Sequence, residues 1–302
     1  MSAPDRQNKP KRRLQIALAA LLFGATMTGV SPILVRLSEV GPIATGFYRV
    51  FLVLPLFALW QWWMPSKMEE KASKQGYRTG CICAAAAGAC FAMDLTFWHS
   101  SLTHISVANA TLLDNMAPVF VVLIAWLIWR EKISIRFLGS LVAALIGVWA
   151  LVLGDGRQAL ENNNVILGSA QGLTGAVFYA GYILLIKQAR YSASSGHVML
   201  ISTAATVLVL LPLMLIFEDV YWPETIRGFI VLLVLAWLVH GAAQSLITYS
   251  MSSLPAVFSS LVLLIQPVAA AFLAWWLFNE ALTALQIAGG ILVITAVLLA
   301  KR

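Results

Sequence analysis

The sequence predicts an all-α membrane protein of ten transmembrane helices in two inverted five-helix repeats. Three observations carry that prediction. Hydrophobic residues make up 60% of the 302 residues and charged residues only 11%, against about 25% charged in an ordinary soluble domain. Ten apolar runs approach the roughly 20 residues that a membrane span needs. Finally, the run Pro118–Glu131 (PVFVVLIAWLIWRE) returns 149 residues later as Pro267–Glu280 (PVAAAFLAWWLFNE). A chain that repeats itself at half its own length reads as two copies of one unit.

The elements follow in order. Residues 1–13 are polar and basic and form a cytoplasmic tail. The spans are expected at 14–35, 42–63, 79–101, 104–129 and 135–154, then at 165–187, 197–217, 226–249, 254–278 and 283–300. The first repeat is therefore 14–154 and the second 165–300. The first span is a membrane helix and not a cleaved signal peptide, since many more apolar runs follow it. Prolines 32, 55, 118, 212 and 267 fall inside spans, where each frees a backbone carbonyl and can kink its helix. In the fifth span Gly139, Ala143 and Gly147 are four apart, as are Gly168, Gly172 and Ala176 in the sixth. That spacing suits close helix packing in lipid. The cysteines Cys81, Cys83 and Cys90 all lie in the third span, which suggests neither a disulfide framework nor a metal site.

Orientation follows from Lys and Arg. With the N-terminus inside, the cytoplasmic segments hold sixteen basic residues and the outer loops three: Arg36, Arg157 and Arg227. Both termini are thus placed in the cytoplasm. Five spans per copy is an odd number, so the second copy enters the membrane the other way up. Glu131 then emerges inside and Glu280 outside. Likewise, aligning Gly24–Ala25 with Gly175–Ala176 sets Arg36, outside, opposite Lys187, inside. Inverted repeats of this kind mark many secondary transporters, with the binding site between the copies near mid-membrane.

Polar residues at helical spacing mark the interior of such a bundle. Thr111, Asp114, Asn115 and Pro118 share one face of the fourth span. Cys90, Asp94, Trp98 and Ser101 share a face of the third, Gln171, Thr174, Phe178 and Tyr182 of the sixth, and Trp237, His240, Gln244 and Thr248 of the eighth. Gln266 precedes Pro267 in the ninth. The expected substrate-binding set is Asp114, Asn115, Thr111, Trp98, Tyr182, Phe178, Gln171, His240, Gln244 and Gln266. Asp114 lies about ten residues from the outer end, about 15 Å deep. It could carry a proton, bind a substrate amine, or hydrogen-bond while neutral. Arg49 and Asp94 lie at similar depth and are expected to pair, as a static strut or an outer gate, with capture of a substrate carboxylate by Arg49 as the alternative. Glu131 and Glu280 are expected to cap or tether helix ends. His99 and His104 are placed near the outer surface.

The runs APVFVVLIAWLIWREKIS and QPVAAAFLAWWLFNEALT, Arg49 after GPIATGFYR, and a Gly-rich first helix ending in a basic residue together resemble the EamA-type drug/metabolite transporters. The resemblance covers nearly the whole chain. It implies a carrier of the cytoplasmic membrane that works by alternating access on amino acids or other small metabolites, often exporting them. It also implies a cavity lined mainly by spans one, three, four, six, eight and nine. The partners expected are a small-molecule substrate and the lipid bilayer, with coupling to a proton or other ion left open and with a monomer or homodimer both compatible. The net charge of +7 reports topology and lipid head groups, not nucleic acid. No cofactor, metal or catalytic residue is expected. A membrane enzyme would need a catalytic cluster, and a receptor or assembly factor a sizeable extramembrane domain; neither is visible. No GxxxxGK[ST] loop is present for ATP-driven transport.

Overall fold

The computed structural model describes residues 4–64, 73–105, 107–154, 164–278 and 282–300. Among these residues the chain is wholly helical. Nine helices are long and apolar enough to cross a membrane: α1 Arg12–Arg36, α2 Pro42–Trp63, α3 Lys74–Ser101, α4 Ala110–Ile128, α5 Ile135–Leu153, α6 Val165–Ala189, α7 Ser195–Phe217, α8 Ile226–Ser250 and α9 Ala256–Leu277. A tenth apolar helix, α10 Ala284–Ala300, has 17 residues, just short of the usual span. The protein is an all-helical membrane protein with the ten helices that its hydropathy predicts. The expected start of α3 shifts from 79 to Lys74 because Ser73 caps it, accepting from Gly76 N at 3.1 Å. The helix therefore starts in polar sequence that hydropathy skips.

Four helices are interrupted, each just before a proline. Regular helix stops at Thr28 and resumes at Ser31 before Pro32; it stops at Phe51 and resumes at Leu54 before Pro55. It stops at Asp114 and resumes at Ala117 before Pro118, and stops at Leu263 and resumes at Ile265 before Pro267. Proline tolerates the first turn of a helix, where its missing N–H costs nothing, but clashes with the turn before it. Pro212 behaves otherwise: α7 runs through it unbroken. In α8 the residues Leu235–Ala243 form a π-helical segment, a wide turn that is frequent at functional sites.

Packing uses small residues. α5 lies against α10, with Gly147 and Gly289 at the crossing; a Cβ on Gly147 would meet Gly289 O at 2.7 Å, and one on Gly289 would meet Gly147 O at 2.5 Å. Gly139, expected in the same seam, touches nothing within 4 Å, because it lies on the exposed face. α3 packs on α6 and α7, and Thr206 Oγ1 donates to Gly88 O across the α3–α7 contact at 2.9 Å.

At the end that the charge bias assigns to the outside, two glutamates cross-brace the bundle. Glu39, after α1, accepts from Thr225 N at 3.0 Å and Thr225 Oγ1 at 2.5 Å at the start of α8. Glu218, after α7, accepts from Ile43 N and Ala44 N at the start of α2. Both carboxylates sit at helix N-termini, where unpaired N–H groups favour negative charge.

Candidate functional site

A cavity of about 70 Å³ lies inside the bundle. Its walls come from seven helices. From α1 come Thr28, Ser31 and Pro32; from α2, Arg49; from α3, Phe91, Asp94 and Trp98. From α4 come Thr111, Asp114 and Asn115; from α6, Tyr179; and from α8 and α9, Gln244, Gln266 and Pro267. Three of the four helix interruptions, those of α1, α4 and α9, border this one space. A second void of about 10 Å³ shares Asp114, Asn115, Tyr179 and Gln266 with it.

Arg49 is buried. Its Nη1 donates to Ser31 Oγ at 3.2 Å, and its guanidinium lies over Phe91, 5.6 Å from the ring centroid. The expected direct pairing of Arg49 with Asp94 is not made. The reason is geometric: Arg49 turns to α1 and to Phe91, while the side chain of Asp94 is turned to that of Asp114, within hydrogen-bonding range. Arg49 Nε, Trp98 Nε1, Asp94 Oδ1 and Asp114 Oδ1 are all buried without a hydrogen-bond partner. Buried polar atoms are normally paired, so the residues of this cavity's wall carry both unused donors and unused acceptors.

Of the expected binding residues, Asp114, Asn115, Thr111, Trp98, Gln244 and Gln266 line the cavity, as do Arg49 and Asp94. Four do not. Tyr182 stands behind the wall, its hydroxyl accepting from Gln244 Nε2 at 2.9 Å. His240 is buried, bonded to Thr203 Oγ1 at 3.0 Å and stacked on Phe91. Both support wall residues. Phe178 stacks on Phe97, 5.9 Å between centroids, away from the cavity. Gln171 is also off the wall, with its Oε1 unpartnered. Trp237 points outward, 51% exposed, and donates to Leu52 O at 3.2 Å.

Glu131 is exposed and borders a separate lateral groove with Trp126 and Arg130. Its backbone closes α4: after Arg130 turns left-handed (φ 51°), Glu131 N donates to Ala125 O at 3.3 Å. The left-handed turn thus satisfies one of the last carbonyls of the helix. Glu280 lies outside the described residues. His99 is fully buried and donates from Nδ1 to Pro42 O, so it holds α3 to the start of α2 instead of facing the outer surface.

Thr28, Ser31, Phe91 and Tyr179 were not among the expected site residues. A deliberate look at the four residues before each in-span proline would have found Thr28 and Ser31. No sequence signal separates Phe91 from its apolar neighbours.

Hydrophobic helices interrupted around a buried polar cavity form the architecture of a membrane carrier. The chain belongs to the EamA-like transporter family, whose model matches residues 14–153 and again 166–302. The double match agrees with two copies of one unit. The pseudopaline exporter CntI of Pseudomonas aeruginosa is 28% identical over 211 residues, covering 70% of this chain and 72% of that protein. An uncharacterized transporter of Archaeoglobus fulgidus is 27% identical over 197 residues, covering 65% and 67%. A solved crystal structure superposes with a TM-score of 0.78 over 96% of both chains at 14% identity, which shows a shared fold.

Proposed function

We propose that this protein is a secondary transporter of a small amino-acid-like or otherwise amphipathic metabolite, working by alternating access in the cytoplasmic (inner) membrane. One observation carries the reading: the cavity at the helix interruptions holds unpartnered donors (Arg49 Nε, Trp98 Nε1) and unpartnered acceptors (Asp94 Oδ1, Asp114 Oδ1) together. A solute with a carboxylate and an ammonium satisfies both sets. Arg49 and Trp98 receive the carboxylate and the aspartates the ammonium, with Phe91 and Tyr179 beside the apolar part. The repeats are taken as 14–154 and 165–300, inverted, with both termini in the cytoplasm. Export is the favoured direction, because a relative that aligns over 211 residues is named an exporter.

Two experiments test this. Untargeted metabolite profiling of cells and medium, with and without the protein, is expected to show one class of zwitterionic metabolite depleted inside and enriched outside. Purified protein in liposomes is then expected to exchange a radiolabelled mixture of the protein amino acids, or the metabolite class so found. Arg49→Gln is expected to slow exchange at least tenfold. No substrate-dependent flux for any class would overturn the proposal.

A further inference from the structure

Among the described residues, Asp94 and Asp114 are the only acidic ones bordering the cavity, and their side chains face one another within hydrogen-bonding range. Two carboxylates in contact repel strongly in a low-dielectric interior, and a hydrogen bond between two carboxyl groups requires one proton. Asp114 is moreover the last residue before the break in α4. The carbonyl end of a helix favours a proton or cation at that spot.

Among the described residues that border the cavity, one carries a full positive charge. Arg49 on α2 faces the pair, tied to Ser31. Tyr179 and Tyr182 approach from α6, and Cys90 lies on α3 beside Asp94. His99 on α3 and His240 on α8, which stacks on Phe91, are each already committed on one nitrogen, to Pro42 and to Thr203. α1 and α9 supply only neutral groups, Thr28, Ser31 and Gln266. Neither aspartate has a carboxylate at the aligned position of the second copy, where Leu246 and Leu263 stand.

We propose that Asp94 and Asp114 form one proton-exchange site that couples transport: the pair shares a single proton when no solute is bound and gives it up when a cationic ammonium group enters. One ammonium enters the cavity and one proton leaves to the water on the side then open. The pair passes from one net negative charge to two, and with the solute carboxylate on Arg49 the loaded cavity carries one net negative charge where the empty one carries none. Return of the empty carrier requires a proton to rebind. The result is exchange of one proton for one ammonium-bearing solute. This inference rests on the transport reading above and adds the coupling ion and the residues that carry it.

The first test needs no ligand. Infrared difference spectroscopy of the purified full-length protein at neutral pH is expected to show one protonated-carboxyl stretch that titrates with pH. Asp94→Asn and Asp114→Asn are each expected to abolish it, because a lone aspartate left beside Arg49 ionises. No such band in the unaltered protein overturns the proposal without any variant. A band that survives either substitution overturns sharing, since the proton then belongs to one residue. Unfolding midpoints of both variants check that they fold.

The second test uses liposomes, with the radiolabelled amino-acid mixture or the metabolite class identified by profiling. An imposed proton gradient is expected to drive at least tenfold accumulation in the unaltered protein. Asp114→Asn is expected to lose that accumulation, and the exchange left at equal pH, slowed because half of the ammonium site is gone, is expected no longer to depend on pH. Accumulation that persists in both Asn variants overturns the coupling role and leaves the transport reading intact. Absence of exchange in the unaltered protein instead overturns the transport reading.

Discussion

At the level of single residues, Glu39 and Glu218 make opposite predictions. Thr225 hydrogen bonds hold the Glu39 carboxyl below the ordinary glutamate value of 4.5. A depressed folded-state value means that the brace contributes stability above that pH and loses it as pH falls through the folded value. The thermal midpoint of the protein should therefore exceed that of Glu39→Gln above pH 4.5, and the difference should vanish in stronger acid. A difference that persists there would overturn the assignment. Burial raises Glu218 despite its two backbone donors, so its ionised form carries a penalty that is relieved as pH falls through the raised value. The same contrast explains what could be read in advance. Arg49, Asp94 and Asp114 were legible because a charge in an apolar run stands out. Their partners were not: the choice of Ser31 over Asp94 for Arg49 depends on how α1 bends. Phe178 and Trp237 were misplaced because a helical stripe gives spacing but not which stripe faces inward, and the π-helical turn in α8 breaks the 3.6-residue period on which that stripe relied.

At the level of helices, the interruptions and the glycine seam do different jobs. Pro118 leaves the Asp114 carbonyl without its helical donor. Pro118→Ala restores that donor and straightens α4 across the cavity. The expected outcome is a folded protein with an unchanged or higher thermal midpoint and exchange slowed about tenfold, a cost of about 1.4 kcal/mol at the barrier. Unaltered exchange would mean that the break is incidental. The seam between α5 and α10 should respond in stability only. Gly147→Ala forces backbone apart and should cost about 1–3 kcal/mol, read as a lower unfolding midpoint. Gly139→Ala meets open space and should gain a few tenths to about 1 kcal/mol from helix propensity. The helices themselves were readable from hydropathy. The seam was half readable, since the four-residue spacing named Gly139 and Gly147 alike and only the crossing point tells them apart.

For the molecule as a whole, the two halves meet through the Glu39 and Glu218 braces at one end and through the cavity in the middle. Alternating access requires that end to open in part of the cycle. Cysteines at positions 39 and 225, joined by a short reducible thiol linker, should arrest exchange, and reduction should restore it. Full activity in the linked protein would show that the end opens elsewhere. The cavity itself measures about 70 Å³, against roughly 300–1,000 Å³ for a typical small-molecule site. The state described here is therefore contracted, and a metabolite is admitted only when the walls part. Measured affinity is then the intrinsic affinity scaled down by the fraction of carriers standing open. A cargo that fits the widened site perfectly will still look like a weak ligand at equilibrium, and it is this weakness that lets it be released on the far side.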